Sequence, residues 1–200
     1  MIQDLIYSCT CGKTTARLHN VSPRTGNLAR CHCKDCQAFA TWLHQQGGAD
    51  IMDENGGTEL WQTLAWHVEF LTGKDENLKA LRLSPKGLIR WYAGCCHAPF
   101  GNTMGSQSMT FVGLPLSGFD AKATDNMGGF SASMFAKTAR AGSTPPDDFG
   151  FGKTIARILW RQLKGKLRAK TRATPYWQGN APVSDPQVLT LPERQAVTPD

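Results

Sequence analysis

Short runs of alternating apolar and polar residues, broken by turn residues, fill positions 4 to 118 and predict strands. Leu5-Ile6-Tyr7-Ser8-Cys9 meets a Cys9-Thr10-Cys11-Gly12-Lys13 corner and returns through Thr14 to Leu18, a hairpin pattern. His67 to Leu71 runs into Thr72-Gly73, and Leu78 to Leu83 turns at Ser84-Pro85-Lys86-Gly87 into Leu88 to Tyr92. Pro85 presets one dihedral of that turn and Gly87 tolerates positive φ. Phe111 to Leu114 adds a strand, and Cys36 to Leu43 suggests a short helix. The expected fold class is mainly β, an antiparallel unit with a helical addition at its C-terminal end.

The pattern changes after about residue 118. Ser131 to Ala141 reads as a short helix stopped by Gly142, and Ser143-Thr144-Pro145-Pro146 is a breaker. Ile155, Ile158, Leu159, Leu163 and Leu167 repeat at helical spacing and predict an amphipathic helix from about Gly152 to Lys170. The commoner arrangement of such a helix packs the Ile/Leu stripe inward and leaves the polar face in solvent. Five of the eleven prolines fall between residues 173 and 200, so that tail is expected to be extended or disordered. Three segments result: a β domain over 1–118, a helical extension over 119–172, and a Pro-rich tail over 173–200.

With 200 residues, 40% of them apolar and 19% charged, the chain can bury a substantial core without covalent or metal staples. Any metal site therefore needs a reason other than small size. No run approaches the ~18 consecutive apolar residues of a membrane span, and residues 1–20 lack a secretory signal pattern, so a cytoplasmic protein is expected. The net charge of +6 is local. Eight of the 22 Lys and Arg lie between Lys153 and Arg172, where there is no Asp or Glu, leaving 14 cations against 16 anions elsewhere.

Seven cysteines are an odd count for a disulfide framework, and cytosolic thiols stay reduced. Their spacing is more informative. Cys31, Cys33 and Cys36 are close enough in sequence to aim three soft thiolates at one point unaided, a donor set that suits Zn²⁺ better than an iron–sulfur cluster. Three thiolates without a fourth nearby leave a coordination position open to a substrate thiolate or water, which makes these three the candidate catalytic group. Cys9 and Cys11 flank one corner, Cys95 and Cys96 a later one, and together they would form a second, closed zinc site. One or two Zn²⁺ per chain are expected.

The succession Cys9-Thr10-Cys11-Gly12, Cys31-His32-Cys33-Lys34-Asp35-Cys36 and Arg90-Trp91-Tyr92-Ala93-Gly94-Cys95-Cys96-His97-Ala98-Pro99-Phe100 resembles the glutathione-dependent formaldehyde-activating enzyme and centromere protein V family over about residues 4 to 118. The resemblance implies a β-tent zinc fold of small, coiled antiparallel sheets. It implies structural ligands at Cys9 and Cys11, and a catalytic-type zinc on Cys31, Cys33 and Cys36. It also implies a carbon–sulfur lyase activity that joins glutathione to formaldehyde as S-hydroxymethylglutathione. The chain departs from the family at the last knuckle, where aromatic-C-x-x-C-G is usual. Cys96 matches the second cysteine, Ala93 stands at the first, and His97 replaces the glycine. Cys96 is the expected ligand there. The fourth place goes to Cys95 slightly ahead of His97, or the site has three protein ligands or none. The basic helix and the tail lie outside the family core.

Two readings of function follow: an enzyme acting on a small thiol or thiol adduct, or a zinc-stabilised module that binds nucleic acid or another anionic surface. The second would use Lys153, Arg157, Arg161, Lys164 and Arg168 of the basic helix. A helix that pairs two chains into a homodimer is a third. Gly12-Lys13-Thr14 and Gly152-Lys153-Thr154 are not phosphate loops, because Tyr7 and Asp147 stand where the required glycine would be. His32, between two cysteines, is expected to face away from the metal, and Asp35 to be a solvated turn residue in preference to a helix cap.

Overall fold

The computed structural model describes residues 2–142, 144–167 and 174–199. The chain is mainly β. Strands β1 (Gln3–Ser8), β2 (Thr15–Val21) and β3 (Asn27–Cys31) precede helix α1 (Lys34–Gln45). Then come β4 (Thr58–Leu64), β5 (Val68–Thr72), the single turn α2 (Lys74–Asn77), β6 (Leu78–Arg82), β7 (Ile89–Ala93), β8 (Pro99–Thr103), β9 (Phe111–Pro115) and β10 (Ala132–Met134). Helix α3 (Phe151–Leu167), the short strands β11 (Trp177–Gln178), β12 (Ala181–Pro182) and β13 (Gln187–Val188), and helix α4 (Leu191–Val197) complete it.

The expected hairpin forms, with Ser8 opposite Thr15, and β5 extends it to a three-stranded antiparallel sheet. An eight-stranded sheet has the order β10-β3-β4-β9-β8-β7-β6-β13. It is antiparallel except at its edges, where β10 and β13 add in parallel. Alternation sorts neighbouring residues of the large sheet to opposite faces. Trp91, Phe100 and Leu114 face the small sheet, where Tyr7 meets Phe100 edge-on at 4.9 Å. Leu81 and Tyr92 face a second cluster with Phe39, Trp42 and Leu43 of α1. Strands β7 and β8 are buried along their whole length.

Three expectations are corrected. Ser131–Ala141 is not a helix. Ala132–Met134 pairs in parallel with Ala29–Cys31, and the open edge of β3 supplies backbone partners that outweigh local helix propensity. The tail is neither merely extended nor disordered in its described part. Tyr176 is fully buried and donates to the Phe100 carbonyl at 2.9 Å, β13 pairs with β6, and residues 191–197 form a regular helix. Pro192 is tolerated because it sits in the first turn, where its missing N–H costs no helical bond. Thr190 and Glu193 form a reciprocal capping box at the same end.

The third correction concerns α3. The helix forms, but its orientation is the reverse of the expected one. The buried residues are Thr154, Ile158 and Gln162, while Ile155, Leu159, Leu163 and Leu167 are exposed. Polar contacts dock it: Gln162 accepts from Thr110 Oγ1 at 2.7 Å, and the Arg161 guanidinium donates to the Arg24 and Gly26 carbonyls. Gly165 lies against Trp66, where a Cβ would overlap the indole. Lys153, Arg157 and Lys164 lie on the described helix, Arg161 is spent on the docking contacts, and Arg168 lies outside the described residues. Among the described residues no helix is long and apolar enough to cross a membrane.

Candidate metal centres

Cys9 directly follows the first strand of the small sheet, in a tight turn closed by Gly12 N–H to Cys9 O and by Cys9 N–H to Thr14 O, both at 3.0 Å. Gly12 takes φ +74° there, a value that suits glycine. The β7–β8 corner is folded by the N–H groups of Cys96 and His97 donating to the Ala93 carbonyl, with His97 itself at φ 53°. This strained corner turns the side chains of two consecutive cysteines the same way. Cys9, Cys11, Cys95 and Cys96 bring all four sulfurs within 4.8 Å of one another. Four sulfurs at ~2.3 Å from a central ion sit about 3.8 Å apart. The observed separations of 3.6 Å (Cys9–Cys11), 3.8 Å (Cys9–Cys95), 3.4 Å (Cys11–Cys95) and 3.9 Å (Cys95–Cys96) match that tetrahedron edge. Cys95, not His97, fills the fourth place. The His97 ring stacks on Tyr92 at 5.7 Å and meets Trp42 edge-on.

The electrostatics fit a cation. A hydrogen bond from the Lys13 backbone N–H, followed by the Cys95 thiol, brings the exposed Cys11 down to about 7, while burial and its thiol neighbours push Cys95 up to about 12. Four thiolates at this spacing repel one another unless a positive charge lies between them.

Cys31, Cys33 and Cys36 also converge within 4.8 Å, and among the described residues no fourth Cys, His, Asp or Glu joins them. Cys31 ends β3. Cys33 is the N-cap of α1, its sulfur accepting the Cys36 N–H at 3.4 Å; the Cys31 thiol lowers it, but the Cys36 sulfur and burial outweigh this and push Cys33 up to about 12. Cys31 and Cys36 are buried, whereas Cys33 is partly exposed, so solvent reaches the group on the Cys33 side. Hydrogen bonds from Cys31 and Cys33, then the Arg90 charge, hold Cys36 well below the usual thiol range.

Arg90 was not recognisable from sequence. It is 2% exposed, on β7, has no carboxylate within ion-pair distance among the described residues, and lies over the Phe39 ring. A buried guanidinium without an acid is costly unless another anion compensates it. The sulfur group is placed to do so: three thiolates around a divalent ion would carry one net negative charge, which Arg90 would offset. The Cys31–Cys33 loop is also held from a distance. The His32 carbonyl accepts from Gln37 Nε2 at 2.6 Å and Thr138 Oγ1 at 2.9 Å, and Arg140 Nε donates to Gln37 Oε1 at 2.9 Å.

His32 is fully buried and is not a member of either sulfur group. Its Nδ1 faces the Met134 carbonyl and its Nε2 lacks a hydrogen-bond partner among the described residues, with Asp53 Oδ2 at 3.9 Å. A Cβ on Gly57 would come within 2.6 Å of that nitrogen. Asp53 and Gly57 form part of the wall of a cavity of about 360 Å³, to which Asp50 and Glu59 add carboxylates. Asp35 neither caps α1 nor stands free in solvent, because it pairs with Arg194 of α4 at 3.1 Å.

A model of a protein family of unknown function, DUF6151, matches residues 1–187. The chain belongs to DUF6151. The matched span takes in both sulfur groups, Arg90 and α3, so these are parts of one DUF6151 unit. No curated protein matches the chain.

Proposed function

We propose that this DUF6151 protein is a zinc enzyme of the formaldehyde-activating type, a carbon–sulfur lyase acting on a small thiol and an aldehyde at Cys31, Cys33 and Cys36. The four-cysteine group is its structural zinc site, and the two sheets correspond to a zinc-stabilised tent. The observation that carries this reading is the contrast between the two groups: one has a complete tetrahedron of sulfurs, the other three sulfurs and one side open to solvent.

Zinc at the three-cysteine centre would supply a Lewis acid that keeps a bound thiol as thiolate at neutral pH. The chain's own groups do the rest. Arg90 offsets the charge of the centre, and the α1 N-terminus steadies Cys33 and Cys36. His32, fully buried behind Gly57 and Asp53, braces the Cys31–Cys33 loop through its contact with the Met134 carbonyl. The reaction balances without an oxidant. The thiol sulfur forms a bond to the aldehyde carbon, the C=O π bond opens, and the proton lost by the thiol ends on the new hydroxyl. Asp53 and Glu59 of the cavity wall are paired with Arg30 and set no charge preference for the thiol, so thiols other than glutathione belong in the trial.

The test is Co²⁺ exchange into the purified protein, followed by addition of glutathione or cysteamine. Thiol binding at an open position changes the intensity and position of the cobalt bands, and Cys33→Ser abolishes that change while leaving the other centre's bands intact. Formation of the hydroxymethyl thioether from formaldehyde is then read by NMR. A thiol-insensitive cobalt spectrum in the wild-type protein refutes the enzyme reading.

A further inference from the structure

The apolar side of α3 has no covering partner among the described residues. Phe151, Ile155, Leu159, Trp160, Leu163 and Leu167 are between 40% and 75% exposed. At about 100° per residue the last five span an arc of about 140°, interrupted in the last turn by the exposed Lys166, whose long stem can carry its charge out to the headgroups. Lys153, Arg157 and Lys164 follow next on the same exposed surface, ahead of the buried Thr154, Ile158 and Gln162. At the N-terminal end, the half-exposed Phe135 ring packs edge-on against Phe151 at 5.7 Å and continues the apolar surface. The helix is anchored by Arg161, Gln162 and Gly165 so that this surface faces outward.

We infer that α3 is an interfacial membrane anchor that lays its leucine face among the acyl chains of an anionic bilayer, with its lysines and arginines at the headgroups. The combination of an exposed apolar arc and an adjoining cationic border is what such a surface recognises. Charge complementarity selects this occupant. A second copy of the chain would bring two basic borders together, with no Asp or Glu anywhere in 153–172 to relieve them. Nucleic acid would satisfy the cations but leave Leu159, Leu163 and Leu167 in water. The location is separate from the thiol chemistry, since no α3 residue belongs to either sulfur group.

The full-length protein is mixed with vesicles of pure phosphatidylcholine, or of phosphatidylcholine with 30% phosphatidylglycerol, and binding is read by flotation and by the emission of Trp160. Binding to the anionic vesicles and a blue shift are expected. Leu159→Ser/Leu163→Ser, at exposed positions that leave the fold intact, weakens binding by about tenfold per leucine. Lys153→Gln/Arg157→Gln/Lys164→Gln weakens it by about fivefold per charge in low salt. Failure to bind either vesicle overturns the inference, as does concentration-dependent dimerisation that Leu159→Ser/Leu163→Ser abolishes without vesicle binding. Binding to duplex DNA that is indifferent to the leucine substitutions, with no vesicle binding, assigns the face to nucleic acid instead.

Discussion

Replacing Cys96 by serine separates the two centres, because they differ in the length of chain they close. Cys9 and Cys95 are 86 residues apart; Cys31 and Cys36 are five apart (36 − 31). An unfolded chain can still hold an ion with the three neighbouring cysteines, which reduces what that ion adds to folding stability. Gathering the other four in an unfolded chain first requires closing the long loop. The cost grows as (3/2)RT ln n, so the difference between the two centres is about 2.5 kcal/mol in favour of the four-cysteine site. For a chain of this size each kcal/mol moves Tm by roughly 2–4 °C. Cys96→Ser should therefore lower Tm by roughly 5–10 °C more than Cys33→Ser, and each should remove one of two metal equivalents. The comparison is fair because Cys96 is only half-buried and serine at position 33 remains a good N-cap. Scanning calorimetry gives Tm and plasma emission spectrometry gives the metal. Two equivalents retained in Cys96→Ser, or a larger Tm loss in Cys33→Ser, would refute the reasoning.

Other perturbations probe other parts of the same structure. Arg90→Met should weaken metal retention at the three-cysteine centre by at least about tenfold and leave the four-cysteine centre unchanged, as read by chelator competition; equal loss at both would show that Arg90 only supports the fold. Tyr176→Phe should cost about 1–3 kcal/mol in urea denaturation, since it strands the Phe100 carbonyl inside the core. Tyr176→Ala should cost about 3–5 kcal/mol, and an unchanged midpoint would detach the tail from the core. Glu193 is held below the usual carboxylate range by the Thr190 backbone N–H and then its hydroxyl. Its contribution is complete above the unfolded value and is lost as pH falls through the lower, folded one. Amide exchange in 191–197 should speed up over that acid window, and Glu193→Ala should remove the pH dependence.

Where side-chain alternation and turn residues coincide, the fold was legible: the first hairpin, β5, β6, β7 and β9 all lie where the pattern predicts them. The turn after β6 also forms, with Gly87 N–H donating to the Ser84 carbonyl at 3.0 Å. Strands β3, β4 and β8 were not legible, because strands buried on both faces lose the alternation on which the reading depends. The two parallel edge strands, β10 and β13, have only three and two residues. Nothing in so short a stretch records that a sheet edge awaits it. In α3 the hydrophobic period gave the helix correctly but not the direction in which it faces. That direction is set by Gly165 against Trp66 and by Arg161 on the carbonyls near Gly26, contacts made with residues about a hundred or more positions away.

The sulfur groups were legible for a different reason. Spacing within Cys31-x-Cys33-x-x-Cys36 and Cys9-x-Cys11 is local, so a turn and a helix N-terminus suffice to aim the donors. The pairing of Cys95 with Cys96 depends on a corner that puts His97 in the left-handed region, a cost that sequence alone does not reveal. Arg90 is two residues outside any cysteine motif's core and acquires its meaning only when β7 passes beneath α1 and leaves its charge without a carboxylate. Thr138 and Arg140, from a segment more than a hundred residues downstream, hold the Cys31–Cys33 loop directly and through Gln37 of α1. A donor set can therefore be read from one short motif, whereas the charge and rigidity that tune it come from elements assembled by the sheet. Substituting Arg140 should loosen the three-cysteine centre without touching a ligand: Arg140→Ala should speed chelator capture of the metal there and leave the four-cysteine centre unchanged. Unchanged capture rates at both centres would show that the downstream segment covers the loop without holding it.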